Sequence, residues 1–174
     1  MHKILVFVFS SILFFSGCTE QLKKPNIILI NIDDLGWKDL GCQGSEFYST
    51  PNIDALSKLG MVFNNGYASA SNCAPSRASL MTGLWTPRHG IYTVNSSARG
   101  RSENRKLIPT ENTTTIGSEH ILLPELLKQN GYTTCHAGKW HLSDDPMKRG
   151  FDKNIGGGHN GHPKSYYPPY KNVD

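Results

Sequence analysis

Two groups of residues in this 174-residue chain have types and spacing suited to chemistry. The first is the pair Asp33-Asp34, directly after the apolar run Ile27-Ile28-Leu29-Ile30-Asn31-Ile32. Adjacent carboxylates repel, and both ionise readily only beside a cation. Their hard oxygens suit calcium or magnesium. A bare Asp-Asp is more often two solvated acids in a loop. The second group is Cys73-Ala74-Pro75-Ser76-Arg77. A cysteine at a helix N-terminus, with an arginine one turn along the same face, could be an activated thiolate. It could also be a buried structural cysteine beside a surface arginine.

The elements that must hold these residues follow from local pattern. Ile27–Ile32 is short, Ile-rich and without alternation, which predicts a strand buried on both faces. Asp33 and Asp34 then stand at the strand edge where open α/β sheets bind ligands. Thr50-Pro51-Asn52 opens a helix to Leu59, with Gly60 as its stop. Met61 to Tyr67 reads as a strand. Pro75 to Met81 reads as a helix ended by Gly83. Pro124 to Gln129 starts another, stopped by Asn130-Gly131, and Tyr132 to Ala137 is β-rich. The order predicts α/β with a largely parallel central sheet flanked by helices. From Gly156 to Asp174 the chain reads as loop.

Cys73-Ala74-Pro75-Ser76-Arg77, followed by Thr82-Gly83, resembles the signature of the type I sulfatases of the alkaline-phosphatase-like superfamily. Pro25-Asn26-Ile27 through Asp33-Asp34-Leu35-Gly36-Trp37 resembles that family's first strand and metal loop. Thr50 to Leu56 resembles its next helix. Gly138-Lys139-Trp140-His141-Leu142 resembles its second sulfate-binding motif, and Gly150-Phe151-Asp152 the turn after it. The likeness covers Lys24 to Asp174 in the family's order.

The resemblance implies a sulfuric ester hydrolase in which Cys73 is oxidised to formylglycine by a maturation enzyme. A serine sulfated in catalysis would remain a stable ester. A hydrated aldehyde can attack sulfur with one hydroxyl and expel sulfate by losing the proton of the other. By the same resemblance, Asp33 and Asp34, with the modified Cys73, bind calcium or else magnesium. Arg77 lies beside the formylglycine, Lys139 binds sulfate, and His141 is the candidate base. His159 and His162 are weaker candidates for substrate contact. Phe151 to Gly157 and Ser165-Tyr166-Tyr167 resemble sulfatases acting on glycans. The sugar, the sulfate position and endo or exo action stay open.

Residues 25–174 are thus expected to be the N-terminal portion of a sulfatase catalytic domain. The family's further metal ligands, sulfate-binding lysine and histidine come later in its sequence. The chain alone is therefore expected to carry an incomplete sheet and to be inactive. The alternatives are a phosphonate or phosphate monoester hydrolase of the same superfamily, and a non-catalytic lipoprotein remnant.

Met1-His2-Lys3, the apolar run Ile4 to Phe15, and Ser16-Gly17-Cys18 describe a secretory signal. Phe15 to Cys18 resembles a bacterial lipobox. Cys18 is the expected lipidation site, residues 1–18 the signal peptide and residues 19–24 a tether. The expected location is the cell envelope, with the membrane engaged through the lipid anchor alone.

Net charge is +4. Much of it comes from one stretch, where Arg99, Arg101, Arg105 and Lys106 face Glu103 alone. Such a run is a solvated loop or a contact for an anionic polymer. No aromatic residues interleave with these charges, which argues against a nucleic-acid platform. The cysteines, Cys18, Cys42, Cys73 and Cys135, contain no C-x-x-C pair, which argues against a zinc ribbon. Cys42 and Cys135 are candidates for a disulfide that sequence alone leaves open.

Overall fold

The structure, a computed structural model, describes residues 23–170. The predicted signal peptide, Cys18 and most of the tether lie outside the described residues. The chain divides at Ile32 into two units, residues 1–32 and 33–174.

In the first unit, residues 23–32 run without helix or ladder, and Ile28 and Ile30 are exposed. The strand predicted over Ile27–Ile32 is therefore not formed as part of a sheet. A strand exists only where a neighbour takes its backbone bonds, and this run has no ladder partner among the described residues.

The second unit holds the rest. Helix α1 spans Pro51–Leu59, with Pro51 pre-set for the first turn. Thr50 Oγ1 accepts from Gly41 N at 2.8 Å and donates to Asp54 Oδ1 at 2.9 Å. Asp54 Oδ1 also accepts from Cys42 N at 2.8 Å, which ties the 3-10 turn Gly41–Gln43 to the helix. The strand predicted over Met61–Tyr67 is absent. Asn64 and Asn65 make a turn there instead, closed by Gly66 N to Phe63 O at 3.3 Å. Asparagine side chains favour turns by bonding nearby backbone.

Helix α2, Cys73–Thr82, carries the cysteine as its first residue. It begins two residues before the expected Pro75 and ends as expected at Gly83, whose φ of 68° is left-handed. Its buried face is Ala74, Pro75, Ala78 and Ser79. Small residues there let the next segment approach closely. The short helix α3, Thr86–His89, does so, and His89 Nε2 lies 3.0 Å from Ser79 Oγ. Ile91 N donates to His89 Nδ1 at 3.2 Å, so neutral His89 carries its proton on Nε2 and donates to Ser79.

Helix α4, Leu123–Gln129, is followed by strand β1, Cys135–Ala137. β1 pairs in parallel with β2, Lys153–Ile155, in the register Cys135↔Lys153 and Ala137↔Ile155. This is the one sheet among the described residues. The architecture is α/β with a parallel sheet as expected, but the sheet is only this short pair. The core is Ala74 and Ala78 of α2 with Ile91, Ile116, Leu122, Trp140, Leu142 and Phe151. Trp140 and Phe151 meet edge to face at 5.7 Å, which fixes the loop after β1 against the start of β2. Cys42, Cys73 and Cys135 are all unpaired, so the Cys42–Cys135 disulfide is not formed.

Candidate active site

Several segments of the second unit converge on one cavity of about 750 Å³. The turn after residue 32 brings Asp33 and Asp34. The N-terminus of α2 brings Cys73. The loop leaving β1 brings Lys139 and His141, and the tail loop adds His159 and His162. The residues singled out from sequence therefore meet. Arg77 is the one that does not line the cavity. It stands behind it, donating from Nη1 to Lys139 O at 2.5 Å, with Nη2 3.7 Å from Asp33 Oδ2. Cys18 lies outside the described residues.

Asp33 is the electrostatic hub. Its Oδ2 accepts from Lys139 Nζ and faces Arg77. Two cations thus share one half-buried carboxylate. Asp34 follows with a φ of 55°, a left-handed backbone that aspartate tolerates better than most residues. Its carboxylate is exposed and also lines the cavity.

His141 is buried and has a φ of 65°. Its N–H donates to Gly158 O at 2.9 Å, which stitches the β1 loop to the tail loop. Burial, then the positive charges of Lys139, His159 and Arg77, push its pKa down to about 4, while Asp33 acts the other way. The imidazole is thus neutral at pH 7. Its Nδ1 and that of His159 are buried without a hydrogen-bond partner. The two rings face each other edge to face at 6.3 Å. Gly161 lies so close that a Cβ on it would come within 2.9 Å of His141 Cε1. Any side chain there would push the ring.

A titration checks this picture. By NMR, the His141 ring should titrate with a midpoint near 4. Lys139→Ala should raise that midpoint, because a repelling cation is gone. The folded pKa lies below the unfolded value of about 6.5. Any stability His141 adds is thus present above that value and lost as pH falls through about 4. A midpoint at the unperturbed value would contradict the buried, neutral ring.

Asp33 and Asp34 give two hard carboxylates in the cavity that holds Cys73, which suits calcium or magnesium. They are a partial set, for no three or more His, Cys, Asp or Glu side chains converge on one point among the described residues.

Tyr166, from the Ser165-Tyr166-Tyr167 stretch, lines the cavity, and so does Asn95, with a φ of 59°, which sequence reasoning missed. Asn95 has no spacing that would have marked it. Asn95 is placed by Asn112, whose Oδ1 accepts from Tyr92 N at 2.7 Å and Thr93 N at 3.0 Å, and whose Nδ2 donates to Asn95 O.

The sulfatase family model matches residues 25–173, and the chain belongs to that family. It is 41% identical over 157 residues to the N-acetylgalactosamine-6-sulfatase of Mus musculus, covering 86% of this chain and 28% of that protein. It is 41% identical over 126 residues to human arylsulfatase A, covering 71% of this chain and 22% of that protein. Among solved structures, Ps i-CgsB aligns at 40% identity with a TM-score of 0.63, over 78% of this chain and 28% of that one. A second structure, solved with its substrate D-glucosamine-2-N,6-O-disulfate, aligns at 33% identity and a TM-score of 0.60 over 76% of this chain and 23% of that one. The fold is the alkaline-phosphatase-like α/β fold of the sulfatases. The chain spans 28% of the length of the mouse enzyme.

Proposed function

We propose that this chain forms the nucleophile-bearing part of the active site of a sulfuric ester hydrolase acting on sulfated glycans, with Cys73 converted to formylglycine. The observation that carries the reading is the meeting of Asp33, Asp34, Cys73, Lys139 and His141 in one cavity. The glycan reading is supported by the relatives, named N-acetylgalactosamine-6-sulfatase, and by the structure solved with a disulfated glucosamine.

The residues divide the work by charge and position. Lys139, held on Asp33 and on the Arg77 side of the cavity, offers a fixed cation to a sulfate oxygen. Arg77 adds positive potential from behind without meeting solvent, its side chain being 11% exposed. His141 is uncharged at pH 7, so one ring nitrogen can take a proton from a hydroxyl of hydrated formylglycine. Asp33 and Asp34 would hold the divalent ion, calcium or else magnesium, which supplies Lewis-acid polarisation of the ester when bound. Cys18 is proposed as the lipidated residue that anchors an exported protein to the cell envelope, with no nucleic-acid partner.

The test is modification. Coexpressed with a formylglycine-generating enzyme, the protein should yield a peptide spanning Asn72 to Gly83 that has lost its thiol and reacts with aldehyde probes. Cys73→Ala should show no such product, and Arg77→Ala should reduce it. An unmodified thiol in cells that convert a control sulfatase would end the proposal.

A further inference from the structure

The basic stretch that ran unexplained through the sequence folds beside the site. A second cavity, of about 640 Å³, is lined by Ser96, Ser97, Arg105, Thr110, Glu111 and Thr114, among others. Asn95 lines both this cavity and the one that holds Cys73. The two are therefore neighbours along one strip of chain, residues 94–97.

The arginines of the stretch are not equivalent. Arg101 is spent on Glu103, Nε to Oε1 at 2.6 Å. Arg99 is folded back, its Nη2 donating to Thr93 Oγ1 at 2.9 Å and Val94 O at 3.1 Å. Arg105 lines the cavity. Its Nε donates to Arg99 O at 3.1 Å, and its Nη2 to Ala98 O at 3.1 Å and Gly100 O at 2.8 Å. Three carbonyls fix the guanidinium in place but do not neutralise it. Nη1 takes part in none of these bonds. The result is a positioned cation whose ordering cost has already been met by the fold.

The rest of the lining is hydroxyl, amide and carboxylate. Those groups exchange hydrogen bonds with a hydroxyl-rich ligand. Glu111 would repel an anion at its own end but accept from a sugar hydroxyl. A ligand that fits all of this is a sugar with one anionic group directed at Arg105.

We propose that the Arg105 cavity binds the neighbouring, anionic unit of the same glycan whose sulfate ester enters the Cys73 cavity. The protein thus selects a multiply sulfated oligosaccharide over an isolated sulfated sugar. This rests on the sulfatase reading for the occupant of the first cavity, and it extends that reading by a second binding site and a preference.

The experiment is calorimetric titration of the full chain in its unconverted thiol form, so that nothing is hydrolysed. The probes are N-acetylgalactosamine 6-sulfate and a carrageenan tetrasaccharide sulfated on adjoining units, at low salt. The tetrasaccharide should bind about tenfold tighter, the scale of one charge-assisted hydrogen bond. Arg105→Gln removes the charge. Because Arg105 also staples its own loop, Thr114→Tyr is the companion variant, filling the cavity from the exposed side without touching that staple. Both should erase the gain and leave the monosaccharide affinity unchanged. A tetrasaccharide gain that survives both variants overturns the proposal. So does a monosaccharide that binds as tightly as the tetrasaccharide, and in that case the reading of the Cys73 cavity still stands. A tetrasaccharide that binds through Arg105 while the monosaccharide does not bind would instead sink the Cys73 reading and leave the second site intact.

Discussion

Converted at Cys73 and mixed with the region of a full-length relative that this chain does not match, the protein is expected to release 4-nitrophenol from its sulfate ester. The converted chain by itself is expected to release almost none. The reasoning is ligand counting. A hard divalent ion of the calcium type takes about six to eight oxygens. Asp33 and Asp34 are the carboxylates that line the Cys73 cavity, and no larger group of donor side chains gathers among the described residues. Water can complete a coordination sphere but cannot fix the ion against sulfur. Lys139 and His141 supply a cation and a base on the reading proposed above. In the mixed assembly, Cys73→Ala should lower turnover by at least about a thousandfold, since the nucleophile itself is lost. Turnover by the lone chain that disappears in Cys73→Ala would show that these residues suffice. Turnover of the phosphate ester in preference to the sulfate would move the protein to the other branch of the superfamily.

The largest effect on stability should come from Arg149. The residue is 8% exposed, and its guanidinium makes four bonds. Nε donates to Glu125 Oε1 at 3.0 Å, Nη1 to Ile116 O at 3.1 Å and Gly117 O at 3.3 Å, and Nη2 to His120 O at 2.7 Å. Glu125 also caps α4, its Oε2 accepting from Leu122 N at 2.8 Å. One side chain therefore holds the start of α4, the preceding loop and the end of the 3-10 turn Pro146–Arg149 together. Arg149→Met keeps the bulk but leaves Glu125 charged and three carbonyls without their donor. Breaking a buried pair from one side costs about 3–5 kcal/mol. Urea unfolding should show a loss of that order, and the double variant with Glu125→Gln should lose less than Arg149→Met plus Glu125→Gln taken singly. A loss under about 1 kcal/mol would mean the network contributes no more than a surface pair.

How much of this was legible in the sequence depended on whether a signal was local. Helices announce themselves with their own residues. Pro51 and Gly60 bracket α1, Gly83 ends α2, and Asn130-Gly131 ends α4, as the pattern had it. Strands depend on a partner. Ile27–Ile32 has the composition of a buried strand but no ladder among the described residues, and Lys153–Ile155 forms one with only three residues of ordinary sequence. The site residues of the two motifs were legible because motif order placed them: Asp33, Cys73, Lys139 and His141 share a cavity. What was not legible arises from the path of loops. Asn95 reaches the cavity because Asn112 pins the stretch before it, and Gly161 matters only because His141 is there to be touched. Arg149 was missed because an arginine is usually exposed, and only the folded chain supplies the carbonyls that allow it inside.

The placement of Cys73 on α2 sets an order of events. The helix buries Ala74, Pro75, Ala78 and Ser79, and Arg77 is bonded to Lys139 O, 62 residues further along the chain. Under the proposed conversion, an enzyme reading Pro75 and Arg77 would have to act before that bond closes. On the conversion proposed above, the motif would be read while the strip is still an unfolded peptide, before Lys139 arrives. Folding speed then acts as a clock on the chemistry. A chain that docks its β1 loop sooner would be caught with a larger share of its thiol unchanged, and one that docks later would be more fully converted. A substitution far from Cys73 could alter the fraction of usable molecules without altering a single contact in the finished site.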